Sequence, residues 1–172
     1  IAYDGSLFQG SQKQPNGLTV ENKLLKAFKR INIETSIVLS GRTDKEVHAT
    51  GQVFNCIIPD FWSDLKKLKE VLNRNLPSSI KISNISKVSD TFHSRFHAKK
   101  RVYRYIITSK PTTPFNDKFI TYVQNINEKL LKDAIKEFIG IYDFKYFHKT
   151  GSDKDITIRE IFDTAFYKYK DI

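Results

Sequence analysis

Apolar residues return along this chain in two rhythms. Between positions 19 and 31 they recur every three or four residues as Val20, Leu24, Leu25, Phe28 and Ile31, with lysines opposite. That spacing predicts an amphipathic helix opened by Thr19. It recurs at Leu65, Leu68 and Leu72 behind Ser63 as N-cap, where Asn75-Leu76-Pro77-Ser78-Ser79 breaks it. It recurs again at Leu130, Leu131, Ala134, Ile135 and Phe138, predicting a helix over about 127–139 that Gly140 stops. Elsewhere the rhythm is strand-like. Ile37-Val38-Leu39 and 53–58 are short apolar runs flanking a polar loop, 80–88 is a weaker strand, and 159–167 is a final one. Over 99–109, alternation places Arg101, Tyr103, Tyr105 and Ile107 on one strand face and Val102, Arg104 and Ile106 on the other. Residues 143–158 read as an irregular loop. The two halves show a similar alternation of strands and helices, although no repeat is detectable residue by residue. An α+β protein with helix-covered sheets is the predicted class.

Composition sharpens this picture in two places. The 172 residues are 40% hydrophobic, with 13 Phe and 8 Tyr, enough to bury a core in one domain or two small ones. Lys and Arg number 29 against 19 Asp and Glu, a formal charge of +10 that suits an anionic partner, nucleic acid before membrane. The single cysteine, Cys56, lies in an apolar strand pattern and reads as a small core residue. No stretch approaches the ~20 apolar residues of a membrane span and no signal peptide is visible, so a cytoplasmic protein is expected. The chain begins at Ile1 inside a strand-like run, contains no methionine and stops just after another such run. It reads as part of a longer chain.

The loop between the first two strands holds the candidate chemistry. Residues 41–50, Gly-Arg-Thr-Asp-Lys-Glu-Val-His-Ala-Thr, set one carboxylate, Asp44, behind a glycine, an arginine and a threonine. Aspartate in a loop often serves only as a cap or turn residue. Here Arg42 lies two positions away and favours a charged, nucleophilic carboxylate, while Gly41 and Gly51 allow a ligand close to the backbone. A loop held by two strands can present a reactive group to a large ligand. The strand at 99–109 gathers Lys99, Lys100, Arg101 and Arg104 around Tyr103 and Tyr105, cations for phosphates and rings for an unpaired base. His48, His93, His97 and His148 show no metal-ligand pattern, and neither a P-loop nor a dinucleotide glycine motif is present. No metal and no cofactor are expected.

Taken in order, these motifs resemble those of the bacterial tRNA pseudouridine synthase A (TruA) family. The resemblance runs nearly the whole chain. It comprises Tyr3-Asp4-Gly5-Ser6, Gly10, Gln12-Lys13-Gln14, Val20-Glu21, the Asp44 loop through Thr50-Gly51-Gln52-Val53, and Asn75-Leu76-Pro77. It continues in Phe92-His93-Ser94-Arg95-Phe96, Arg101-Val102-Tyr103-Arg104-Tyr105, the loop 140–147 and Thr157-Ile158-Arg159. The resemblance implies a cofactor-free, homodimeric enzyme that isomerises uridines in the anticodon stem-loop of tRNA. It implies a pseudouridine synthase fold of two α/β subdomains, with mostly antiparallel sheets, meeting at a central basic cleft. Residues 1–92 would form the subdomain carrying the Asp44 loop, and 93–172 the first part of the other, its C-terminal part missing. Asp44 aligns with the catalytic aspartate, Tyr103 with the tyrosine over the target base, and Arg42 with the arginine that assists base flipping. Arg101 and Arg104 join them as expected substrate contacts. Two positions depart from the family pattern: Glu46 stands at a usual glycine, and Ser11 at a usual aromatic. The family's C-terminal arginine, which pairs with the aspartate, has no assignable counterpart.

The reaction so implied breaks the N1–C1′ bond of uridine, turns the uracil and rejoins it through C5. A carboxylate can serve by attacking C1′, by attacking C6 of the ring, or by abstracting a sugar proton to give a glycal. The competing class is a non-catalytic basic RNA-binding module or RNA chaperone, which would use the aromatic strand and have no need of Asp44.

Overall fold

In the computed structural model, residues 1–15, 17–147 and 157–169 are described. The chain divides into two compact units, Ile1–Tyr103 and Arg104–Ile172. Among the described residues, no helix is long and apolar enough to cross a membrane.

The first unit is built on two amphipathic helices. Helix α1 spans Val20–Arg30, and the hydroxyl of its N-cap Thr19 accepts the Asn22 N–H at 3.2 Å. Helix α2 spans Leu65–Asn75. Its cap is Asp64, accepting the Lys67 N–H at 2.9 Å, not the expected Ser63. Either residue type caps well; the helix begins at Leu65, so Asp64 holds the N-cap position and Ser63 lies one residue outside it. Val20, Leu24, Ala27 and Phe28 of α1 meet Leu68 and Leu72 of α2 in one core with Tyr3, Phe8, Ile33, Ile80 and Ile82. Each fully buried leucine contributes about 1.5–3 kcal/mol.

Short strands frame this core. Strand β1 is Ala2–Tyr3 and β2 is Val38–Leu39; β3 is Phe54–Asn55 and β4 is Ile80–Lys81. β1 pairs antiparallel with β4, and β2 pairs antiparallel with β3, Val38 opposite Asn55. The predicted strands are thus present but shorter, since 80–88 contributes only its first two residues. Ser94, itself buried, fastens the following segment to the β2–β3 hairpin. Its hydroxyl donates to the Val38 carbonyl at 2.5 Å, and its N–H donates to Asn55 Oδ1 at 2.9 Å.

The expected strand over 99–109 is corrected by the structure. Only β5, Ile107–Thr108, is paired, and residues 101–106 have no ladder partner among the described residues. Alternation marks a segment fit for a sheet, but a strand exists only where a neighbour takes its backbone hydrogen bonds.

In the second unit β5 runs parallel to β6, Thr121–Tyr122. Helix α3 spans Glu128–Lys136, capped by Asn127, whose side chain accepts the Leu130 N–H at 3.0 Å. None of its residues is buried; Leu130, expected inward, is 66% exposed. Gly140, at φ +131°, ends the turn after α3 and opens β7, Gly140–Asp143. β7 pairs antiparallel with β8, Ile158–Ile161, so the expected strand 159–167 is confined to its first residues. Part of the expected irregular loop, with His148, lies outside the described residues. Three of the four two-stranded sheets among the described residues are antiparallel.

Candidate active site

The loop 41–49 is pinned along both sides by groups distant in sequence. At its start, Ser40 N–H donates to the Val53 carbonyl at 2.8 Å, and the Gln52 amide donates to the Gly41 carbonyl at 2.7 Å. Ser40 Oγ also donates to Gln52 Oε1 at 2.6 Å. At its end, Ala49 and Tyr3 exchange backbone hydrogen bonds of 3.2 and 2.8 Å. Between these points the segment 5–11 forms a cradle. Ser11 N–H donates to the Thr43 carbonyl at 3.0 Å, Ser11 Oγ accepts the Thr43 N–H at 2.8 Å, and Glu46 N–H donates to the Phe8 carbonyl at 3.3 Å. Tyr3 Oη and Thr43 Oγ1 lie 2.8 Å apart.

Two glycines make that cradle possible. A Cβ on Gly5 would lie 2.1 Å from the Val47 carbonyl oxygen, an impossible approach. Gly10, at φ +103°, would set a Cβ 2.9 Å from the Thr43 carbonyl oxygen. His48 closes the far side. Its Nδ1 lies 3.0 Å from the Gly5 nitrogen and 3.2 Å from Asp4 Oδ1. A neutral ring accepts the Gly5 N–H and a protonated ring pairs with the Asp4 carboxylate, so either form holds the loop to the turn after β1.

Asp44 stands at the free edge of this frame. Its side chain is exposed and, among the described residues, takes part in no hydrogen bond or ion pair. Only its backbone is used, the carbonyl accepting the Val47 N–H at 3.2 Å. The carboxylate therefore caps nothing. Arg42 is likewise exposed and forms no ion pair with Asp44. The usual glycine of the resembling family finds its reason at Glu46, whose φ is +66°, a left-handed conformation that costs an L side chain about 1–2 kcal/mol. The Glu46 carboxylate points to Lys45, 3.2 Å away, with both side chains exposed. At Ser11, fully buried, a hydrogen-bonded hydroxyl occupies the place of the family's aromatic.

Of the other expected contacts, Arg101 is brought to the loop. Its Nε and Nη2 donate to the Ser40 carbonyl at 3.2 and 2.6 Å, and Nη2 also donates to the Arg95 carbonyl at 3.1 Å. The guanidinium lies against Gly41, where a Cβ would come within 3.2 Å of Nε. Tyr103 is 76% exposed, in a segment without regular pairing. Arg104 is exposed and belongs to the second unit. The Nδ1 atoms of His93 and His97 accept backbone N–H groups at 3.3 Å. Among the described residues no three His, Cys, Asp or Glu side chains converge as a metal site. Sequence reasoning passed over Ser11, Gln52 and Gly5 as the fasteners of the loop. Gly5 and Gln52 stand within the family's motifs, but nothing local marks a glutamine that reaches back eleven residues.

The comparisons with known proteins agree with this architecture. Residues 1–97 match the family model described as tRNA pseudouridine synthase, and the chain belongs to that family of isomerases. It is similar, over 99% of its length and 67% of theirs, to a protein of Wolinella succinogenes named tRNA pseudouridine synthase A, at 34% identity. Proteins of the same name from Helicobacter hepaticus and Helicobacter pylori strain P12 are each 38% identical. These alignments take in 99% and 97% of this chain, and 71% and 68% of the relatives.

Proposed function

We propose that this chain carries the catalytic loop of an enzyme that converts uridine to pseudouridine in the anticodon stem-loop of tRNA, with Asp44 as nucleophile or essential base. One observation carries the reading: an unpartnered carboxylate at the free edge of a loop whose backbone is fastened on every other side. A reactive group gains most when its scaffold is rigid and its own atoms are uncommitted. Family membership supplies the reaction class.

Asp44 would form a bond to C1′ or C6, or remove a sugar proton, while the N1–C1′ bond breaks. The uracil then turns and C5 bonds to C1′; the bond to Asp44 breaks, or the abstracted sugar proton returns, and the C5 proton leaves to a base, Asp44 or Tyr103 acting through water. The target base must leave its stack, at a cost of a few kcal/mol, which Tyr103 offsets by stacking with its exposed ring. Arg42, exposed and without an ion pair among the described residues, is free to take a phosphate beside the flipped nucleotide. Arg101 has a double role here: Nε and Nη2 brace the start of the loop, and the remaining N–H groups are available to the RNA backbone, as is Arg104. Homodimeric assembly and a cytoplasmic location belong to the same proposal, as does a subdomain of residues 1–92 bearing the loop.

The test compares unmodified whole tRNA, its isolated anticodon stem-loop and an unrelated hairpin, with pseudouridine mapped in each. Modification of the first two and not the third is the expected result. Tight RNA binding with no pseudouridine in any would favour the RNA-binding module instead.

A further inference from the structure

Three cations on α1, Lys23, Lys26 and Arg30, follow one another at intervals of three and four residues and so form one stripe. The C-terminal turn of α2 brings Arg74 to the same stripe, and Asn75, Leu76 and Pro77 complete an open depression of about 240 Å³. Arg30 is held to its rim, Nη1 donating to the Asn75 carbonyl at 3.1 Å. The lining contains four cations and no carboxylate. Among the described residues none of the four is in an ion pair.

Helix chemistry alone does not account for this cluster. A cation in the last turn complements the helix dipole and stabilises by about 0.3–1 kcal/mol, which explains Arg30 and Arg74. Lys23 and Lys26 lie in the first and middle turns, outside the reach of that effect. Like charges at these spacings destabilise a helix by about 0.2–0.5 kcal/mol per pair, so Lys23–Lys26 and Lys26–Arg30 both oppose folding. A concave, wholly cationic surface kept against its own repulsion fits a polyanion.

Its position narrows the choice. The first turn of α1 is tied to the Asp44 loop through Ser11, whose carbonyl accepts the Glu21 N–H at 3.0 Å and whose N–H donates to the Thr43 carbonyl. From Glu21 the helix rises about 1.5 Å per residue, so Arg30 lies about 14 Å farther on. Lys23 lies only about 3 Å along the helix from Glu21, so the stripe starts beside the tie to the loop and runs away from it, as the backbone of a stem flanking the reacting nucleotide would. We propose that the depression between α1 and the end of α2 is a second docking site, for the phosphodiester backbone of an RNA stem, away from Asp44. This rests on the reading of the chain as an RNA-modifying enzyme.

The experiment uses the full-length natural chain and tRNA. Lys23→Gln, Lys26→Gln, Arg30→Gln and Arg74→Gln are combined in one variant, and Lys23→Arg with Lys26→Arg forms a charge-preserving control. Removing one cation–phosphate pairing should reduce the slope of log affinity against log salt by about 0.7–0.9, so the combined variant should have a slope shallower by roughly 3. Affinity near 0.1 M salt should fall at least about tenfold, with the deficit in KM rather than kcat, and the arginine control should keep the wild-type slope. An unchanged slope and affinity, with turnover intact, would overturn the site and leave the reaction standing. A flattened slope in the variant, when the unsubstituted protein itself modifies no uridine, would keep the RNA site and remove the enzymatic reading.

Discussion

Replacing Ser11 by alanine removes one oxygen atom from the underside of the candidate catalytic loop. Ser11 is 0% exposed, and its Oγ accepts the Thr43 N–H at 2.8 Å, one residue before Asp44. The backbone bond from Ser11 N–H to the Thr43 carbonyl survives the change. The Thr43 N–H does not keep a partner, and the space vacated is that of one hydroxyl, too small for a water with its own two to four contacts. Leaving a fully buried donor unsatisfied costs about 1–3 kcal/mol, an upper bound for the half-buried Thr43 N–H. For a chain of this size 1 kcal/mol lowers Tm by about 2–4 °C, so the melting point should fall by at most roughly 2–12 °C. Turnover should fall with it, because a loosened Thr43 lets Asp44 drift, whereas tRNA affinity should change little. Urea and thermal denaturation of the full-length chain, beside single-turnover pseudouridine formation, give both readings. A stability change below about 0.5 kcal/mol with unaltered turnover would refute the claim that Ser11 fastens the loop.

Gly5→Ala should be far more severe: its Cβ would sit 2.1 Å from the Val47 carbonyl oxygen, and a forced shift of about 1 Å can cost 10²-fold in kcat. Near-normal turnover would show that the loop can move freely. Glu46→Gly should stabilise by about 0.5–1 kcal/mol, the left-handed strain relieved less the entropy of glycine, since the exposed Lys45 pair contributes little. A drop in urea resistance would contradict that. Burial pushes the Cys56 thiol up to about 11. Native Cys56 at pH 8.5 should therefore react with iodoacetamide about a hundredfold more slowly than an ordinary thiol and recover full reactivity in urea. Because the folded value is the higher one, its stabilising effect is complete below about pH 8.5 and declines as pH rises toward 11; rapid native alkylation would count against this burial.

The helices were the most legible part of the chain. Thr19 announced the start of α1, and Val20, Leu24 and Phe28 its buried face, because all these signals lie within a few residues of one another. Ser63 and Asp64 compete for the same cap, and composition does not separate them. The strand expected at 99–109 failed for a different reason. Periodicity describes a segment's faces but not whether a neighbouring strand pairs with it. α3 displays the same limit, with an apolar stripe at Leu130, Leu131 and Ile135 that no described element of its unit buries. In the candidate site, Asp44 and Arg42 were legible as a motif. Their setting was not, since Ser11, Gln52, Gly5 and Arg101 meet the loop through contacts spanning between 11 and 61 residues. Arg101 shows the difference most clearly: read from sequence as a substrate contact, it is a clamp on the Ser40 carbonyl in the structure.

The central claim is that the uncommitted carboxylate of Asp44 performs the chemistry. Tritium release from tRNA labelled at uridine C5 measures that step directly, because the C5 proton is lost only when the new bond has formed. Asp44→Asn preserves the side chain's shape and removes its charge, and no hydrogen bond or ion pair among the described residues depends on that carboxylate. The full-length Asp44→Asn protein should therefore fold normally, bind tRNA within a few-fold of wild type and release no tritium above background. Substantial release by that variant, at an unchanged fold, would contradict the account and place the essential group elsewhere.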